Sequence, residues 1–178
     1  MDFFSVIEKR RSIRKYRADP VSDEDLKRVL EAGRLAPSGG NRQPWSFVVV
    51  RERQTKDALA IASSNQGFIA QAFVVIVVLS DPSAYPKTSL QSSRIGYKQD
   101  PMIAVEHMAL AATALGYGTC WIGAFKEGEV KKIVNAPEYL TAIALLPIGV
   151  PDEDLPAKPR KPLSEIAYSE IYGAKLAF

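Results

Sequence analysis

The stretch Phe73-Val74-Val75-Ile76-Val77-Val78-Leu79 is a continuous apolar run dominated by Val and Ile. Apolar and polar residues do not alternate in it. Such runs are typical of strands that are buried on both faces of a sheet. A membrane-spanning helix needs about 20 apolar residues, so the run is too short to be one. It therefore predicts a buried strand in a layered fold.

Further strands and helices are predicted on either side of this run. Phe47 to Val50 has the same Val-rich character and is also predicted to be buried on both faces. Leu140 to Ile148 is a strand interrupted by Pro147, and Gly118 to Ile122 is a short strand. Apolar spacing and capping residues predict helices from Asp2 to about Arg10, from Ser22 to Pro37, from Thr55 to Ala62, from Met102 to Leu115 and from Glu127 to Val134.

Three features of this pattern define the expected architecture. The 102–115 helix is apolar almost all round, which is typical of a helix buried in a core or an interface. Residues 80–100 carry turn residues without periodicity and are predicted to form a long loop. A loop of that length usually has a function, and often covers a site. The alternation of helices and strands predicts a single α/β or α+β domain over residues 1–178.

Composition limits the class of protein. Hydrophobic residues make up 47% of the chain and charged residues 24%, which indicates a globular rather than a disordered chain. The lone cysteine, Cys120, cannot form an internal disulfide. Residues 1–5 lack the basic and apolar regions of a signal peptide. These features lead us to expect a cytoplasmic enzyme.

The sequence lacks the usual catalytic and metal-binding constellations. His107 is the one histidine and falls within the predicted buried helix, so a histidine-based triad or zinc site has no partners. Cys120 lies in an apolar context that favours a core position over a nucleophile. After Gly116 and Gly118, Trp121 stands where a dinucleotide-binding motif needs its third glycine.

Basic residues form two clusters that are far apart in the sequence. Residues 9–17 read Lys-Arg-Arg-Ser-Ile-Arg-Lys-Tyr-Arg, and the second cluster is Lys158, Arg160 and Lys161. The net charge of the whole chain is only +3. Two clusters in a nearly balanced chain favour a specific anion over a polyanion.

Arg10, Ser12 and Arg14 alternate within the first cluster. In an extended segment their side chains would therefore point to one side. Two guanidinium groups and a hydroxyl suit a phosphate, because arginine offers planar, forked donors to phosphate oxygens. A solvated charged turn or a nucleic-acid-binding arm would carry the same residues, so the alternatives stay open here.

Ala36-Pro37-Ser38-Gly39-Gly40-Asn41-Arg42-Gln43-Pro44-Trp45 connects a predicted helix to a predicted strand. Gly39 and Gly40 permit unusual dihedral angles or a close approach to a flat ligand. Ser38, Asn41 and Gln43 offer donors and acceptors to a polar heterocycle. Taken alone, the segment could equally be a flexible connection.

In their order along the chain, these segments resemble the nitroreductase family of flavoproteins. The resemblance covers essentially the whole chain. The segments that carry it are Arg10-Arg11-Ser12-Ile13-Arg14-Lys15-Tyr16, Ala36-Pro37-Ser38, Asn41-Arg42-Gln43-Pro44-Trp45, Leu115-Gly116-Tyr117-Gly118-Thr119-Cys120-Trp121-Ile122-Gly123, Leu146-Pro147-Ile148-Gly149-Val150-Pro151 and Pro159-Arg160-Lys161-Pro162-Leu163.

The resemblance implies an α+β fold of three layers, in which helices flank a central, mainly antiparallel sheet. It also implies an intertwined homodimer that is formed through the long apolar helix and shares two flavin sites. Four prolines make residues 150–178 unsuited to a helix or an interior strand. We call this Pro-rich segment the C-terminal arm, and the resemblance implies that it is exchanged and wraps the partner subunit.

The resemblance also implies FMN as the bound cofactor and assigns residues to it. Arg10, Ser12 and Arg160 would hold the phosphate, assisted by Arg11 or Lys161. Arg14 would lie near N1 and O2 of the isoalloxazine and stabilise the charge of the reduced flavin. The remaining residues implied to approach the ring, from one subunit or the other, are Pro37, Ser38, Gly39, Asn41, Gln43, Trp121, Ile122 and Gly123. A backbone amide of Ile122 or Gly123 would donate to N5.

The implied activity is transfer of a hydride from NAD(P)H, through flavin N5, to a small aromatic acceptor such as a nitroaromatic or a quinone. The two half-reactions would alternate, and the flavin would carry the hydride, so no separate catalytic residue is expected. Other candidates have the same fold: reductive dehalogenases, enzymes that cleave flavin with oxygen, and non-catalytic FMN-binding proteins. A nucleic-acid-binding module is disfavoured because acidic residues are spread throughout the chain, and no membrane partner is expected.

Known members of the family carry an extra excursion over the active site, to which residues 80–100 would correspond. Tyr85, Tyr97 and Lys98 are therefore candidates to line the acceptor pocket. The alternative is that they are ordinary residues of a surface loop.

Overall fold

A computed structural model of the chain describes residues 1–88 and 90–177, and only the backbone at 91–93. Within these residues four strands form one sheet in the order β1-β2-β4-β3. Every neighbouring pair is antiparallel. The strands are β1 (Trp45–Val50), β2 (Val74–Ser80), β3 (Gly118–Thr119) and β4 (Thr141–Gly149).

Strand β2 is buried at every position and pairs on both sides, which confirms the prediction for the 73–79 run. Its partner β4 continues through Pro147, which lies opposite Val75. Strand β1 is different, because it lies at the edge of the sheet and leaves Ser46 and Val49 exposed. The prediction that it is buried on both faces was wrong, since a short apolar run cannot distinguish an edge strand from a central one.

The helices begin and end largely where capping residues predict. Asp2 accepts hydrogen bonds from the amides of Phe4 and Ser5, and Ser22 accepts one from Asp25. Gly116 follows the fifth helix with φ +89°, the left-handed conformation that glycine adopts readily. The helices are α1 (Phe3–Lys9), α2 (Asp23–Arg34), α3 (Arg53–Ala62), α4 (Phe68–Gln71), α5 (Gln91–Ala114) and α6 (Glu127–Ile133). Helix α4 was not predicted.

Alternate residues of β2 face two different helix layers. Val75 and Val77 contact the cluster formed with α3, α4 and α6, whereas Val74 and Ile76 contact the cluster formed with α2 and α5. The sheet is therefore the middle of three layers, and the predicted α+β fold class is confirmed.

The region after β2 corrects the prediction of a loop up to Asp100. Helix α5 begins at Gln91 rather than at Met102, and Pro101 lies inside it. A proline usually marks a helix start or break, because it lacks an N–H group and clashes with the preceding turn. That signal, together with the charged residues before it, obscured the helical half of the segment.

The C-terminal arm runs over the surface. Pro151 at its start forms a bridge with Tyr16. Beyond that, in the residues described up to 177, its regular structure is limited to a short 3-10 turn at Leu163–Glu165 and a bridge between Tyr168 and Lys175. Leu163, Ile166 and Tyr172 are 60%, 57% and 89% exposed, so the arm presents apolar side chains to solvent. Across the described ranges, we find no helix with the length and hydrophobicity to cross a membrane.

Candidate functional site

Two distant parts of the chain meet beside β3. The Arg17 amide donates to the Val150 carbonyl, and the Asp152 amide donates to the Lys15 carbonyl, each at 2.9 Å. These bonds form a short antiparallel ladder between residues 15–17 and 150–152. The same N-terminal segment is fastened to β3, because the Ile13 amide donates to the Thr119 carbonyl at 2.8 Å.

The ladder brings the two basic clusters to one cavity of about 320 Å³. We call it the cationic cavity. Its lining residues are Arg10, Arg11, Ser12, Arg14, Glu153, Leu155, Pro156, Lys158 and Arg160. Of the residues predicted to hold a phosphate, Lys161 does not line the cavity and is exposed. Five cations against one carboxylate make this a positive site.

The cations of the cavity are only partly paired. Arg10 Nε lies 3.8 Å from Glu106 Oε1, at the outer limit of an ion pair. Arg160 Nη1 donates a long bond of 3.3 Å to the Lys158 carbonyl. Glu153 Oε1 accepts from the Arg14 backbone amide at 2.5 Å. The guanidinium groups of Arg10 and Arg160 therefore keep free donors, which suit an anion with several oxygens.

Arg11 has a role that the sequence did not suggest. Its Nη1 atom donates to the Glu8 carbonyl and, at 2.9 Å, to the Arg10 carbonyl. Arg11 therefore caps the C-terminus of α1, where carbonyl groups lack helical partners. Its Nε is buried and has no hydrogen-bond partner in the part of the chain that the structure describes. That donor is therefore available to a ligand.

The segment after β3 forms another side of the site. Burial raises the pKa of the Cys120 thiol, which is 1% exposed, so this thiol is neutral and fits the predicted core position. The Ile122 amide donates to the Leu145 carbonyl at 2.9 Å. The Ile122 amide is therefore already engaged, so of the two predicted donors to flavin N5 Gly123 is the better placed. The Gly123 amide, by contrast, has no partner within the described residues, and Trp121 beside it is 37% exposed.

Residues 38–43, which we call the 38–43 turn, form a compact unit. The Ser38 hydroxyl accepts from the Gln43 amide at 2.9 Å, and the Ser38 carbonyl accepts from the Asn41 amide at 2.9 Å. Gly40, Asn41 and Gln43 have φ of +60°, +55° and +48°. Neither Pro37 nor any residue of the turn lines the cationic cavity of the same chain.

The candidates for an acceptor pocket separate into two groups. Tyr85 is 5% exposed, and it lines a second cavity of about 520 Å³ together with Tyr97 and Lys87. Burial and a hydrogen bond to Asp100 raise the pKa of Tyr85, so its hydroxyl stays protonated. Lys98 is exposed, does not line that cavity, and has its Nζ 5.6 Å from the Tyr97 ring.

Sequence reasoning missed two functional candidates, Glu153 and Asp100. Glu153 lines the cationic cavity because the ladder sets it against Arg14, and no local pattern signals that pairing. Asp100 falls at the end of the predicted 80–100 loop, where no sequence pattern distinguishes it. His107 behaves as predicted for a packing residue, since its Nδ1 lies 3.2 Å from the Ala32 carbonyl on α2.

Comparisons with known proteins bear on the family and the fold. The model of the Nitroreductase family matches residues 7–70 and 57–150. A protein of Archaeoglobus fulgidus, named as an NADH dehydrogenase/NAD(P)H nitroreductase, is 35% identical over 151 residues, covering 82% of this chain and 83% of the relative.

Solved structures give the same result for the fold. B. megaterium NfrA2 superposes with a TM-score of 0.90 at 28% identity, covering 97% of this chain and 76% of its own. The NADPH:FMN oxidoreductase of Vibrio harveyi, complexed with NAD+, has a TM-score of 0.87 at 26% identity. The match covers 96% of this chain and 77% of the Vibrio chain.

Proposed function

Because this chain belongs to the nitroreductase family, we propose that it is a flavoprotein that binds FMN with its cationic cavity and passes a hydride from NAD(P)H to a small aromatic acceptor, such as a nitroaromatic or a quinone. One observation carries the proposal. Arg10 and Arg14 come from one end of the chain and Arg160 from the other, yet all three line one cavity. The Vibrio protein is itself named for NADPH and FMN.

The cavity fits the phosphate of FMN in charge and in donors. Arg10, Ser12 and Arg160 offer guanidinium and hydroxyl donors to a dianion, and Lys158 adds a further cation. The buried Nε of Arg11 supports this assignment, because an unsatisfied buried donor costs about 1–3 kcal/mol and a phosphate oxygen would satisfy it. Lys161 is left with no direct role.

The size of the cavity supports a site shared between subunits. At about 320 Å³ it lies at the lower end of the range for small-molecule pockets. It therefore suits the phosphate and its neighbouring atoms better than a whole FMN. We propose that the 38–43 turn of a second copy covers the ring, with Pro37, Ser38, Gly39, Asn41 and Gln43 as the approaching residues.

Exposed apolar surfaces support the homodimer. Phe3 and Phe4 on α1 are 63% and 74% exposed, and Met102 and Ile103 on the adjacent α5 are 43% and 38% exposed. Helices α1 and α5 contact each other, and exposed apolar patches mark interaction sites. We propose that α1 and α5 pack against the same helices of a second copy, and that the C-terminal arm is exchanged onto that copy.

When bound, FMN would supply the hydride chemistry at N5. The chain's own residues would bind and orient it. Arg14 lines the cavity, and its guanidinium would stabilise negative charge at the N1 and O2 edge. The free Gly123 amide, rather than that of Ile122, would donate to the ring. Tyr85 and Tyr97 remain candidates for the acceptor pocket, and the alternation of the two half-reactions also remains a proposal.

The test begins with the visible spectrum of the purified protein and identification of any released chromophore. We expect a yellow protein that releases FMN. Under anaerobic conditions NADH or NADPH should bleach it, and a nitroaromatic or a quinone should restore the colour. Steady-state rates should give parallel double-reciprocal lines if the half-reactions alternate. A protein that neither contains nor takes up FMN would refute the proposal, and bound FMN that neither nicotinamide reduces would favour the other chemistries of this fold.

A further inference from the structure

The Asp100 carboxylate on α5 joins the 38–43 turn to the segment after β2. Its Oδ2 atom accepts from the Gly39 amide at 2.7 Å, across 61 positions of sequence. The Tyr85 hydroxyl donates to the same oxygen. Two elements that are distant in sequence therefore depend on one carboxylate oxygen.

The 38–43 turn needs such an anchor because its backbone is strained. Asn41 and Gln43 both adopt the left-handed conformation, which is uncommon for non-glycine residues and persists only where the surroundings impose it. The other hydrogen bonds that involve side chains in the turn lie within it. Asp100 is the one side chain from outside, in the residues described, that hydrogen-bonds the turn.

Tyr85 is itself held on several sides. A Cβ atom added at Gly96 would lie 2.5 Å from Tyr85 Cε1, so the ring packs directly against the backbone of α5. The Arg42 guanidinium lies 5.2 Å from the ring centroid, and its Nη1 donates to the Gly39 carbonyl at 2.6 Å. Gly39, Asp100, Tyr85 and Arg42 therefore form a closed circuit of contacts.

We infer that Asp100 and Tyr85 are positioning residues for the flavin, which hold the 38–43 turn in the shape that a bound FMN meets. This inference rests on the proposed function, because it takes the turn to be a flavin-contacting element. Neither side chain lines the cationic cavity. Their effect on FMN is therefore transmitted through Gly39 and its neighbours.

The test uses Tyr85→Phe, which keeps the ring and removes the hydroxyl. Its matched control is Tyr117→Phe, because the Tyr117 hydroxyl donates to Asp25 Oδ2 at 2.9 Å, a bond of the same kind at a different place. Three quantities are measured on full-length holoprotein or apoprotein: the Kd for FMN, the visible circular dichroism of bound FMN, and hydrogen exchange of residues 38–43.

We expect Tyr85→Phe to weaken FMN binding about tenfold, as loss of a hydrogen bond to a charged group does. It should also change the dichroism of the flavin and speed exchange across the turn. Tyr117→Phe should lower thermal stability while leaving the Kd within about twofold. Asp100→Asn is the second variant, and it should reproduce the effects of Tyr85→Phe.

The outcomes separate the inference from the function on which it rests. If the wild type binds FMN and both site variants bind it with unchanged Kd and dichroism, the inference is wrong and the proposed function stands. An equal loss in Tyr117→Phe would reveal a general effect of stability and would equally overturn the inference. A wild type that binds no FMN would refute the function itself.

Discussion

The cationic cavity and the 38–43 turn are built by different means. The cavity depends on backbone hydrogen bonds, because the ladder between residues 15–17 and 150–152 brings the basic clusters together. The turn depends on side chains, because the Asp100 carboxylate and the Ser38 hydroxyl hold a strained backbone. The difference indicates that phosphate binding should tolerate mutation of single neighbours, whereas the shape of the turn should be sensitive to single atoms.

Removing the charge of the cavity tests the first half of this comparison and should have the largest effect. Arg10→Ala combined with Arg160→Ala should raise the Kd for FMN by about 10² to 10⁴-fold, because a charged hydrogen bond is worth about 1.5–3 kcal/mol. Fluorescence quenching of FMN measures it. The ladder should survive, so the melting temperature of the apoprotein should change little.

The control for this variant removes the same charge elsewhere. Arg17→Ala combined with Arg28→Ala deletes two exposed arginines that pair with Asp19 and Asp25 rather than line the cavity. The Kd for FMN should stay within about threefold of the wild type. A comparable loss in this control would mean that general charge, rather than the cavity, attracts the cofactor.

Separating the proposed subunits should remove the 38–43 turn of one copy from the cationic cavity of the other. Phe4→Glu places a charge on the exposed apolar surface of α1 and should raise the dimer Kd at least about 100-fold, because an unpaired buried charge is strongly disfavoured. Sedimentation measures the mass of the species in solution and so distinguishes dimer from monomer. Ile61→Glu is the control, since Ile61 is 65% exposed on α3, away from α1. If Phe4→Glu stays dimeric, the proposed interface is wrong.

The packing of Tyr85 against α5 gives a prediction whose expected effect is of intermediate size. Alanine normally favours a helix over glycine by about 1 kcal/mol. At Gly96 the new methyl group would meet Tyr85, and overpacking costs about 1–3 kcal/mol. Gly96→Ala should therefore lower the free energy of unfolding in urea, whereas Gly128→Ala, with nothing within 4 Å, should not. Equal changes in the two variants would contradict the packing described for Tyr85.

The smallest effect concerns pH. The Tyr117 hydrogen bond, and then that from Ser22, hold the pKa of Asp25 below its usual 3.8. A carboxyl group with a lowered folded pKa adds stability above its unfolded pKa, and that stability is lost as the pH falls through the folded value. The difference in melting temperature between wild type and Tyr117→Phe should therefore be present at pH 6 and shrink below about pH 4. A difference that is constant with pH would argue against this bond as the cause.

Much of the fold could be predicted because its signals are local. Each of these signals acts within a few residues: the Val-rich run of β2, the N-caps Asp2 and Ser22, and Gly116 at the C-terminal end of α5. The start of α5 was missed because Pro101 is accepted in a helix whose preceding turns pack against Tyr85, and that contact is tertiary. The edge position of β1 likewise depends on its neighbours rather than on its own composition.

The candidate site divides in the same way. The placement of Arg10, Ser12 and Arg14 on one side could be predicted from alternation, and all three line one cavity. Other features of the site could not be predicted. These are the cap that Arg11 forms, the bond that occupies the Ile122 amide, and the positions of the Glu153 and Asp100 carboxylates. Each depends on a hydrogen bond whose partner or geometry only the folded backbone determines.

The ladder between residues 15–17 and 150–152 also determines when the cationic cavity can form during synthesis of the chain. Contacts between segments so distant in sequence form slowly, because the intervening chain must first be brought into place. A nascent chain on the ribosome has no cationic cavity until residues up to 160 have emerged. If the proposed function holds, a flavin is therefore captured only after every described strand and α-helix has been synthesised.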